Sequence, residues 1–304
     1  MTRDVVIVGA GPAGVSAALW ARSFGLEARV LESEPGAGGQ LNAVHFHPRE
    51  VPGVAAGDGP AIAATLLAQL AAERIDLVPS TIARGLEFVG ERIAVLDAAG
   101  QRHEARAALV ATGLRRRRLG VPGEEAFEGR GVSFSATRDR DRLAGRDVLV
   151  VGGGDAAFEN ALILAEAGSR VTIAARGAPR AREEFRRRVA ANPKIQVLEQ
   201  TRVTEVLGDA RMRGVRLSGP GGTSERAVEG LVIKIGSIPN TEWCRDALAC
   251  DPEGYIRIDA GGRSSRDRVW AAGDVTRPPL LAIAVAAGQA ALALADIRAE
   301  LRRS

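Results

Sequence analysis

Cysteine is nearly absent from this chain of 304 residues, which contains only Cys244 and Cys250. Two thiols cannot supply the disulfide framework of a small secreted protein. Long apolar runs are also missing, because no stretch reaches the roughly 18 apolar residues of a membrane span. The most apolar segment, residues 280–295, is interrupted by Gly288 and is predicted to be a buried helix. The first residues run straight into an apolar strand, so we expect a cytoplasmic protein without a signal peptide or a membrane partner.

Aromatic residues make up only 4% of the chain, and the formal net charge is a modest +4. The lysine-rich and aromatic-interleaved blocks of nucleic-acid binders are missing, so nucleic acid is not an expected partner, and no metal site is predicted. An arginine run at residues 115–118 is either a docking patch for an acidic protein or a solvated surface. The length favours two domains.

Two copies of one glycine-rich pattern lie far apart in the chain. They are Gly9, Gly11 and Gly14 near the start, and Gly152, Gly154 and Ala157 in the middle. Each copy follows a β-branched run and precedes a helix-forming stretch. In such a pattern the first glycine permits a tight turn, the second lets the backbone approach a pyrophosphate, and the third position lets helix and strand pack closely. A chance origin among 36 glycines is a weak alternative for a duplicated motif, so the sequence predicts two dinucleotide sites.

The two copies differ at the end of the following strand, where an acidic side chain normally accepts the ribose hydroxyls. The first copy has Glu32 there, which favours FAD. The second has Ala175 and Arg176, followed by Arg180 and Arg182, and this cationic strand end suits the 2′-phosphate of NADPH. The alternative is that these arginines belong to a solvated helix face, and NADH therefore stays possible.

The order of the elements predicts an α/β fold with two Rossmann-like, three-layer ββα domains. Both glycine motifs are predicted to lie in βαβ units. The predicted segments are 5–8, 13–24 and 28–32 for the first unit, 148–151, 156–167 and 170–174 for the second, a helix from 58–60 to about 72, a closing strand near 231–235, and later strands at 255–258 and 269–271. No third nucleotide motif follows, so the NADPH domain (residues 114–240) is predicted to be an insertion into the FAD domain (residues 1–113 and 241–304).

Six short motifs occur in the order in which the low-molecular-weight thioredoxin reductase family has them, and the chain resembles that family over nearly its whole length. The motifs are Gly9-Ala10-Gly11-Pro12-Ala13-Gly14, Gly38-Gly39-Gln40-Leu41, Ala111-Thr112-Gly113, Gly152-Gly153-Gly154-Asp155, Pro239-Asn240-Thr241 and Ala271-Ala272-Gly273-Asp274-Val275. The resemblance implies a homodimer, FAD and NADPH as cofactors, Gln40 against the flavin and Asp274 on the ribityl chain.

The candidate cofactor residues follow from the motifs and from this resemblance together. For FAD they are Gly9, Gly11, Pro12, Ala13, Gly14, Glu32, Gly39, Gln40, Leu41, Ala111, Thr112, Gly113, Gly273 and Asp274. For NADPH they are Gly152, Gly154, Asp155, Ala156, Arg176 and Arg180.

One departure from the family decides the expected function. Where the family has Cys-Ala-Thr-Cys-Asp, this chain reads Ser135-Ala136-Thr137-Arg138-Asp139. Dithiol exchange needs one thiolate to attack a disulfide and a second to resolve the product, and neither serine nor arginine can do this. Reduction of thioredoxin by the usual route is therefore excluded, and a substitute disulfide between Cys244 and Cys250 is a weak alternative.

Two further departures affect the flavin and nucleotide sites. Leu281 and Ala282 stand where the family has an Arg-Gln pair near the flavin, and the family's His-Arg-Arg stretch survives only as Ala175, Arg176 and Gly177. Weaker discrimination of NADPH is the expected consequence, since one phosphate-facing arginine is missing.

The predicted function is an FAD enzyme that takes a hydride from NADPH and passes electrons to a non-disulfide acceptor, either an acidic protein such as ferredoxin or flavodoxin or a small molecule. In this reading Arg138 lies near the isoalloxazine and stabilises reduced flavin, or it faces solvent. Asp139 loses the family's acid-base role and pairs with Arg138 or Arg140. The alternatives are an NAD(P)H oxidase or quinone reductase, and a non-catalytic flavoprotein sensor.

Overall fold

The computed structural model describes residues 3–51, 53–54 and 56–303. Its strands are β1 (Arg3–Val8), β2 (Ala28–Leu31), β3 (Asp76–Val78), β4 (Ala83–Val89), β5 (Arg92–Asp97), β6 (Arg102–Val110), β7 (Leu114–Arg116), β8 (Val132–Ser133), β9 (Asp147–Val151), β10 (Arg170–Ala174), β11 (Ile195–Leu198), β12 (Arg202–Gly208), β13 (Met212–Gly219), β14 (Gly222–Ala227), β15 (Gly230–Ile233), β16 (Ser237–Pro239) and β17 (Val269–Ala271). The α-helices are α1 (Pro12–Ser23), α2 (Gly59–Ala72), α3 (Ala136–Leu143), α4 (Asp155–Glu166), α5 (Glu183–Ala190) and α6 (Ile283–Leu301). Two short 3₁₀ helices occupy Gly39–Ala43 and Asp274–Thr276.

The chain divides into two compact units, of which the first contains Met1–Arg115 and Ile238–Ser304. Its sheet has the order β3-β2-β1-β6-β5-β4, and β17 pairs in parallel with β6. Strands β1, β2, β3, β6 and β17 are parallel, whereas β4 and β5 form an antiparallel hairpin beside them. The interior strands are apolar on both faces, as parallel strands covered on both sides must be.

The second unit contains Arg116–Ser237. Its parallel sheet has the order β11-β10-β9-β15-β8, and α3, α4 and α5 contribute to the core on one face. The antiparallel sheet β12-β13-β14 contributes to the core on the other face. These three layers, together with the parallel sheet of the first unit, confirm the predicted α/β fold class with two Rossmann-like domains.

Most predicted elements lie within a residue or two of the observed ones, but one predicted strand is wrong and one predicted helix begins later than expected. Residues 255–258 form no strand, because Ile256 makes only an isolated bridge with Cys250. The helix expected over 280–295 begins later, at Ile283, after Pro278 and Pro279, and Leu280 is 63% exposed. Prolines fix φ and lack an N–H, so the chain reaches the helix start in an extended conformation. None of the helices in the described part of the chain combines the length and the hydropathy that a membrane span needs.

Candidate active site

The first glycine loop connects β1 to α1 and is shaped for close backbone approach. A Cβ on Gly14 would lie 1.8 Å from the carbonyl oxygen of Gly9, and a Cβ on Gly9 would lie 2.4 Å from the carbonyl oxygen of Ala111. A Cβ on Gly11 would meet nothing within 4 Å. Gly11 is also the N-cap of α1, with no side chain satisfying the first backbone N–H groups. This open, donor-rich position fits a pyrophosphate.

Glu32 lies directly after β2 and is only 5% exposed. One carboxylate oxygen accepts a hydrogen bond from the Ala10 N–H at 2.6 Å, and the other accepts from the Glu34 N–H at 2.9 Å and from the Ser33 hydroxyl at 3.0 Å. The carboxylate thus fixes the glycine loop from behind. Its remaining lone pairs are available to ribose hydroxyls.

The Gly38–Leu41 motif and Asp274 lie on the same side of this loop. The Gly38 N–H donates to the Ala10 carbonyl at 2.8 Å, and a Cβ on Gly39 would lie 3.2 Å from the Gly11 Cα. The Gln40 side-chain amide donates to Asp274 Oδ2 at 3.3 Å. Burial raises the pKa of Asp274, although the hydrogen bond from Gln40 opposes it. A partly desolvated carboxylate beside an amide provides both acceptors and donors, which suits a polyhydroxyl chain.

Asn240 holds the Ala111–Gly113 motif in place, a role that the sequence pattern did not indicate. The Thr112 hydroxyl donates to the Asn240 carbonyl, and the Asn240 amide donates to the Thr112 carbonyl, both at 2.8 Å. The Asn240 N–H also bonds to the Gly113 carbonyl at 3.0 Å. Nearly all the predicted FAD residues of the first unit are therefore brought together at the carboxyl ends of β1, β2, β6 and β17.

The second glycine loop connects β9 to α4 and repeats this geometry. A Cβ on Gly152 would lie 2.2 Å from the Lys234 carbonyl oxygen, whereas a Cβ on Gly154, the N-cap of α4, would meet nothing within 4 Å. Asp155 does not point freely into the site, because its two oxygens accept from the Arg182 N–H and the Arg182 Nε, each at 2.7 Å. The Arg182 side chain is thus engaged by Asp155.

The remaining arginines of the second strand end are placed differently. The Arg180 N–H donates to the Gly153 carbonyl at 2.7 Å, which folds residues 180–182 against the glycine loop. Arg176 lies two residues after the end of β10, and the side chains of Arg176 and Arg180 are both exposed. Among the described residues, no hydrogen bond or ion pair reaches the guanidinium of Arg176 or Arg180. These two arginines therefore remain available to a 2′-phosphate.

The segment that replaces the family's cysteine pair forms the first turn of α3. Ser135 is the N-cap, and its hydroxyl accepts from the Arg138 N–H at 3.3 Å. Asp139 is 9% exposed and accepts from Arg138 Nη2 at 2.8 Å and from the Ser133 hydroxyl, while Arg142 lies 3.3 Å away. Burial opposes ionisation of Asp139, but the hydrogen bonds from Arg138 and Ser133 outweigh it, and the pKa of Asp139 is lowered. A carboxylate held ionised in this way is a poor proton donor.

Neither cysteine has the lowered thiol pKa that is typical of a redox-active cysteine. Cys244 is 1% exposed in an apolar core, and burial raises the pKa of its thiol to about 12. Burial and the charge of Asp251 also raise the pKa of Cys250. Because the thiolate is the reactive form, these raised pKa values disfavour reaction of either thiol near neutral pH.

Most arginines of the run at 115–118 contact other side chains of this protein. Arg115 pairs with Glu242, and Arg118 Nη2 lies 2.6 Å from Glu128. The guanidinium groups of Arg116 and Arg118 also lie over the Phe134 ring, at 5.8 Å and 5.3 Å from its centroid. Internal pairing reduces the charge that this run offers to a docking protein.

Comparison with known proteins agrees with this architecture. Residues 3–290 match the pyridine nucleotide-disulphide oxidoreductase family. The thioredoxin reductase of Streptomyces coelicolor is 37% identical over 97% of this chain and 92% of its own length. That of Streptomyces clavuligerus is 36% identical over the same shares. The crystal structure of the Lactococcus lactis thioredoxin reductase superposes with a TM-score of 0.83, at 28% identity and with full coverage of both chains.

Two Rossmann-like units with paired glycine loops define a flavoprotein oxidoreductase that resembles thioredoxin reductases. The chain belongs to the pyridine nucleotide-disulphide oxidoreductase family. Its cofactors are FAD and NADPH, and both open N-caps, at Gly11 and at Gly154, fit the pyrophosphates of these dinucleotides.

Proposed function

We propose that this protein passes electrons from NADPH through FAD to a non-disulfide acceptor, without a protein thiol as an intermediate carrier. The strongest support comes from the surroundings of the two cysteines and of the two residues that replace the family's cysteine pair. Ser135 and Arg138 form a capped helix start, and Cys244 is buried with a pKa of about 12. Cys250 also has a raised pKa, so none of these positions offers a thiolate suited to attack a disulfide.

The bound cofactors supply the redox chemistry, and the chain supplies binding and orientation. In this proposal the N-termini of α1 and α4 hold the two pyrophosphates. Glu32 binds the adenosine ribose of FAD, and Gln40 with Asp274 positions the flavin side chain. Arg176 and Arg180 bind the 2′-phosphate of NADPH.

The internal ion pairs of the arginine run at 115–118 favour a small-molecule acceptor, such as a quinone, over an acidic protein. With Arg115 and Arg118 paired to carboxylates, the run has lost part of the charge that steers acidic proteins. Steady-state turnover with a quinone and with an isolated ferredoxin or flavodoxin distinguishes these acceptors. A rate with the protein acceptor that exceeds the quinone rate and falls steeply with salt would reverse this preference.

We expect the double variant Cys244→Ala/Cys250→Ala to reduce the quinone at a rate within about twofold of the wild type, since in this proposal no thiol lies on the electron path and raised pKa values keep both thiols protonated. The measurement is NADPH oxidation with the quinone in excess. A control with thioredoxin disulfide as acceptor should give no turnover for either protein. Loss of the quinone reaction in a variant that keeps its flavin would show that these cysteines take part.

We expect Arg176→Ala to raise the KM for NADPH about tenfold and to leave the KM for NADH nearly unchanged, because only NADPH carries the 2′-phosphate. Arg187→Ala is the matched control, since Arg187 is exposed and lies near Glu183 on α5. Equal effects on both dinucleotides would remove Arg176 from the phosphate site.

Arg138 is proposed to influence the reduced flavin through its positive charge. We expect Arg138→Gln to make the flavin midpoint potential more negative and to slow turnover, as the loss of a cation near a developing anion does. Arg140→Gln is a control on an exposed position of the same helix. An unchanged potential together with unchanged turnover would assign Arg138 a purely structural role as the partner of Asp139.

A further inference from the structure

Lys234 lies at the edge of the second glycine loop, in a position that the sequence motifs do not assign. It directly follows β15, which is the neighbour of β9 in the parallel sheet. Its N–H donates to the Val151 carbonyl at 2.8 Å, and its own carbonyl lies against Gly152. The residue therefore adjoins the first turn of the pyrophosphate loop.

The strand order determines which part of the dinucleotide Lys234 faces. Arg176 follows β10 on one side of β9, and Lys234 follows β15 on the other. A dinucleotide binds across the carboxyl ends of such strands, with its pyrophosphate at the glycine loop between them. If the adenosine 2′-phosphate lies at Arg176, Lys234 lies beside the phosphate that carries the nicotinamide ribose.

The surroundings of Lys234 leave its charge without a close counter-ion. Its side chain is partly buried, and no hydrogen bond or ion pair reaches its ammonium group from the residues that the structure describes. Burial and the charge of Arg116 lower its pKa to about 8, while Glu159 of α4 raises it. The charge of Arg138 acts in turn on Arg116, and Asp155 on α4 is already paired with Arg182. A desolvated cation with a cationic neighbour is suited to an anionic ligand group.

We propose that Lys234 is the counter-ion of the nicotinamide-side phosphate of NADPH, and that it makes dinucleotide binding dependent on its own protonation. This inference rests on the proposed NADPH site and is independent of the electron acceptor. Binding of the phosphate stabilises the ammonium form, so the complex takes up a proton wherever free Lys234 is partly neutral.

Calorimetric titration of the FAD-containing protein with three non-reducing ligands tests the phosphate assignment. Adenosine 2′,5′-bisphosphate lacks the nicotinamide-side phosphate, 2′-phospho-ADP-ribose contains it, and NADP⁺ adds the nicotinamide ring. We expect Lys234→Met to weaken binding of the second and third ligands about tenfold and to leave the first unchanged, as loss of one charge-assisted contact does. Lys194→Met is the matched control, because Lys194 precedes β11, an edge strand of the sheet that does not adjoin β9 or β15. This variant should bind all three ligands with wild-type affinity.

The pH dependence tests the protonation claim with the same ligands. The affinity of the wild type for 2′-phospho-ADP-ribose should be nearly constant around pH 7, begin to fall near pH 8 and decrease by about tenfold in total at higher pH, which is the loss expected for Lys234→Met. Lys234→Arg should bind with a flat profile, because a guanidinium stays charged throughout this range. Adenosine 2′,5′-bisphosphate should show no such fall with either protein.

The outcomes separate this inference from the proposed function. If 2′-phospho-ADP-ribose does not bind the wild type, the NADPH site itself is wrong. If it binds wild type and Lys234→Met equally well, only the inference on Lys234 fails. Tighter NADP⁺ binding to Lys234→Met with unchanged 2′-phospho-ADP-ribose binding would mean that Lys234 repels the oxidised ring, and would overturn the phosphate assignment.

Discussion

Gly154→Ala should reduce the rate of flavin bleaching by low concentrations of NADPH by about a hundredfold or more, while the protein retains its FAD. Gly154 is the N-cap of α4, in an extended conformation that alanine adopts freely, so the fold tolerates the change. The added methyl group occupies the open position that we assign to the pyrophosphate, and it removes charge-assisted contacts worth about 1.5–3 kcal/mol each. Anaerobic stopped-flow absorbance near the flavin maximum measures this rate.

Gly221→Ala is the control for this variant, because Gly221 also has open space around it but lies in the turn between β13 and β14. We expect it to bleach at the wild-type rate. If Gly154→Ala is bleached as fast as the control at limiting NADPH, the pyrophosphate does not lie at the N-terminus of α4.

Gly11→Ala and Gly14→Ala should both yield protein without flavin, but for different physical reasons. A Cβ on Gly14 would collide with the Gly9 carbonyl at 1.8 Å, which is backbone and cannot yield. We expect the variant to lose about 3 kcal/mol or more of stability or to fail to fold. A Cβ on Gly11 meets no protein atom, so that variant should fold and lose only the cofactor.

Thermal unfolding of flavin-free protein separates the two cases. Gly11→Ala should unfold within about 2 °C of wild-type protein from which FAD has been removed, and Gly14→Ala should unfold many degrees lower. The second copy of the motif has Ala157 at the position of Gly14, so the tight contact belongs to the first copy alone. Full flavin content in Gly11→Ala would contradict the placement of the FAD pyrophosphate.

Much of the fold followed from local patterns in the sequence. The β-branched runs before each glycine loop predicted β1 and β9, and Asp58 with Pro60 predicted the start of α2, where Asp58 caps the Ala61 N–H. These signals are local, because a cap, a tight turn or a buried strand needs only a few neighbouring residues. Residues 255–258 have the composition of a strand, but they pair with no neighbouring strand beyond one isolated bridge. Strand pairing depends on tertiary structure, which local composition does not determine.

The sequence motifs indicated which loops form the candidate site, but they did not indicate which of its side chains pair with each other. Asp155 and Arg182 were both expected to face the nucleotide, but they bind each other. Asp139 pairs with Arg138 and Arg142 and not with Arg140, since a residue three positions on lies on the same helix face. Lys234 was overlooked within the apolar stretch 231–235, although a single charge at the end of a buried strand was a visible signal.

The absence of a redox disulfide is tested most directly by counting the electrons that the protein accepts. In an anaerobic titration with dithionite, we expect the flavin to be fully reduced after about two electrons per FAD, since flavin is the only redox group in the proposal. A family member with a working disulfide takes up about four, because the dithiol holds a second pair. Uptake of about four electrons per FAD by this protein would contradict the account, whereas about two would establish the flavin as the sole electron store.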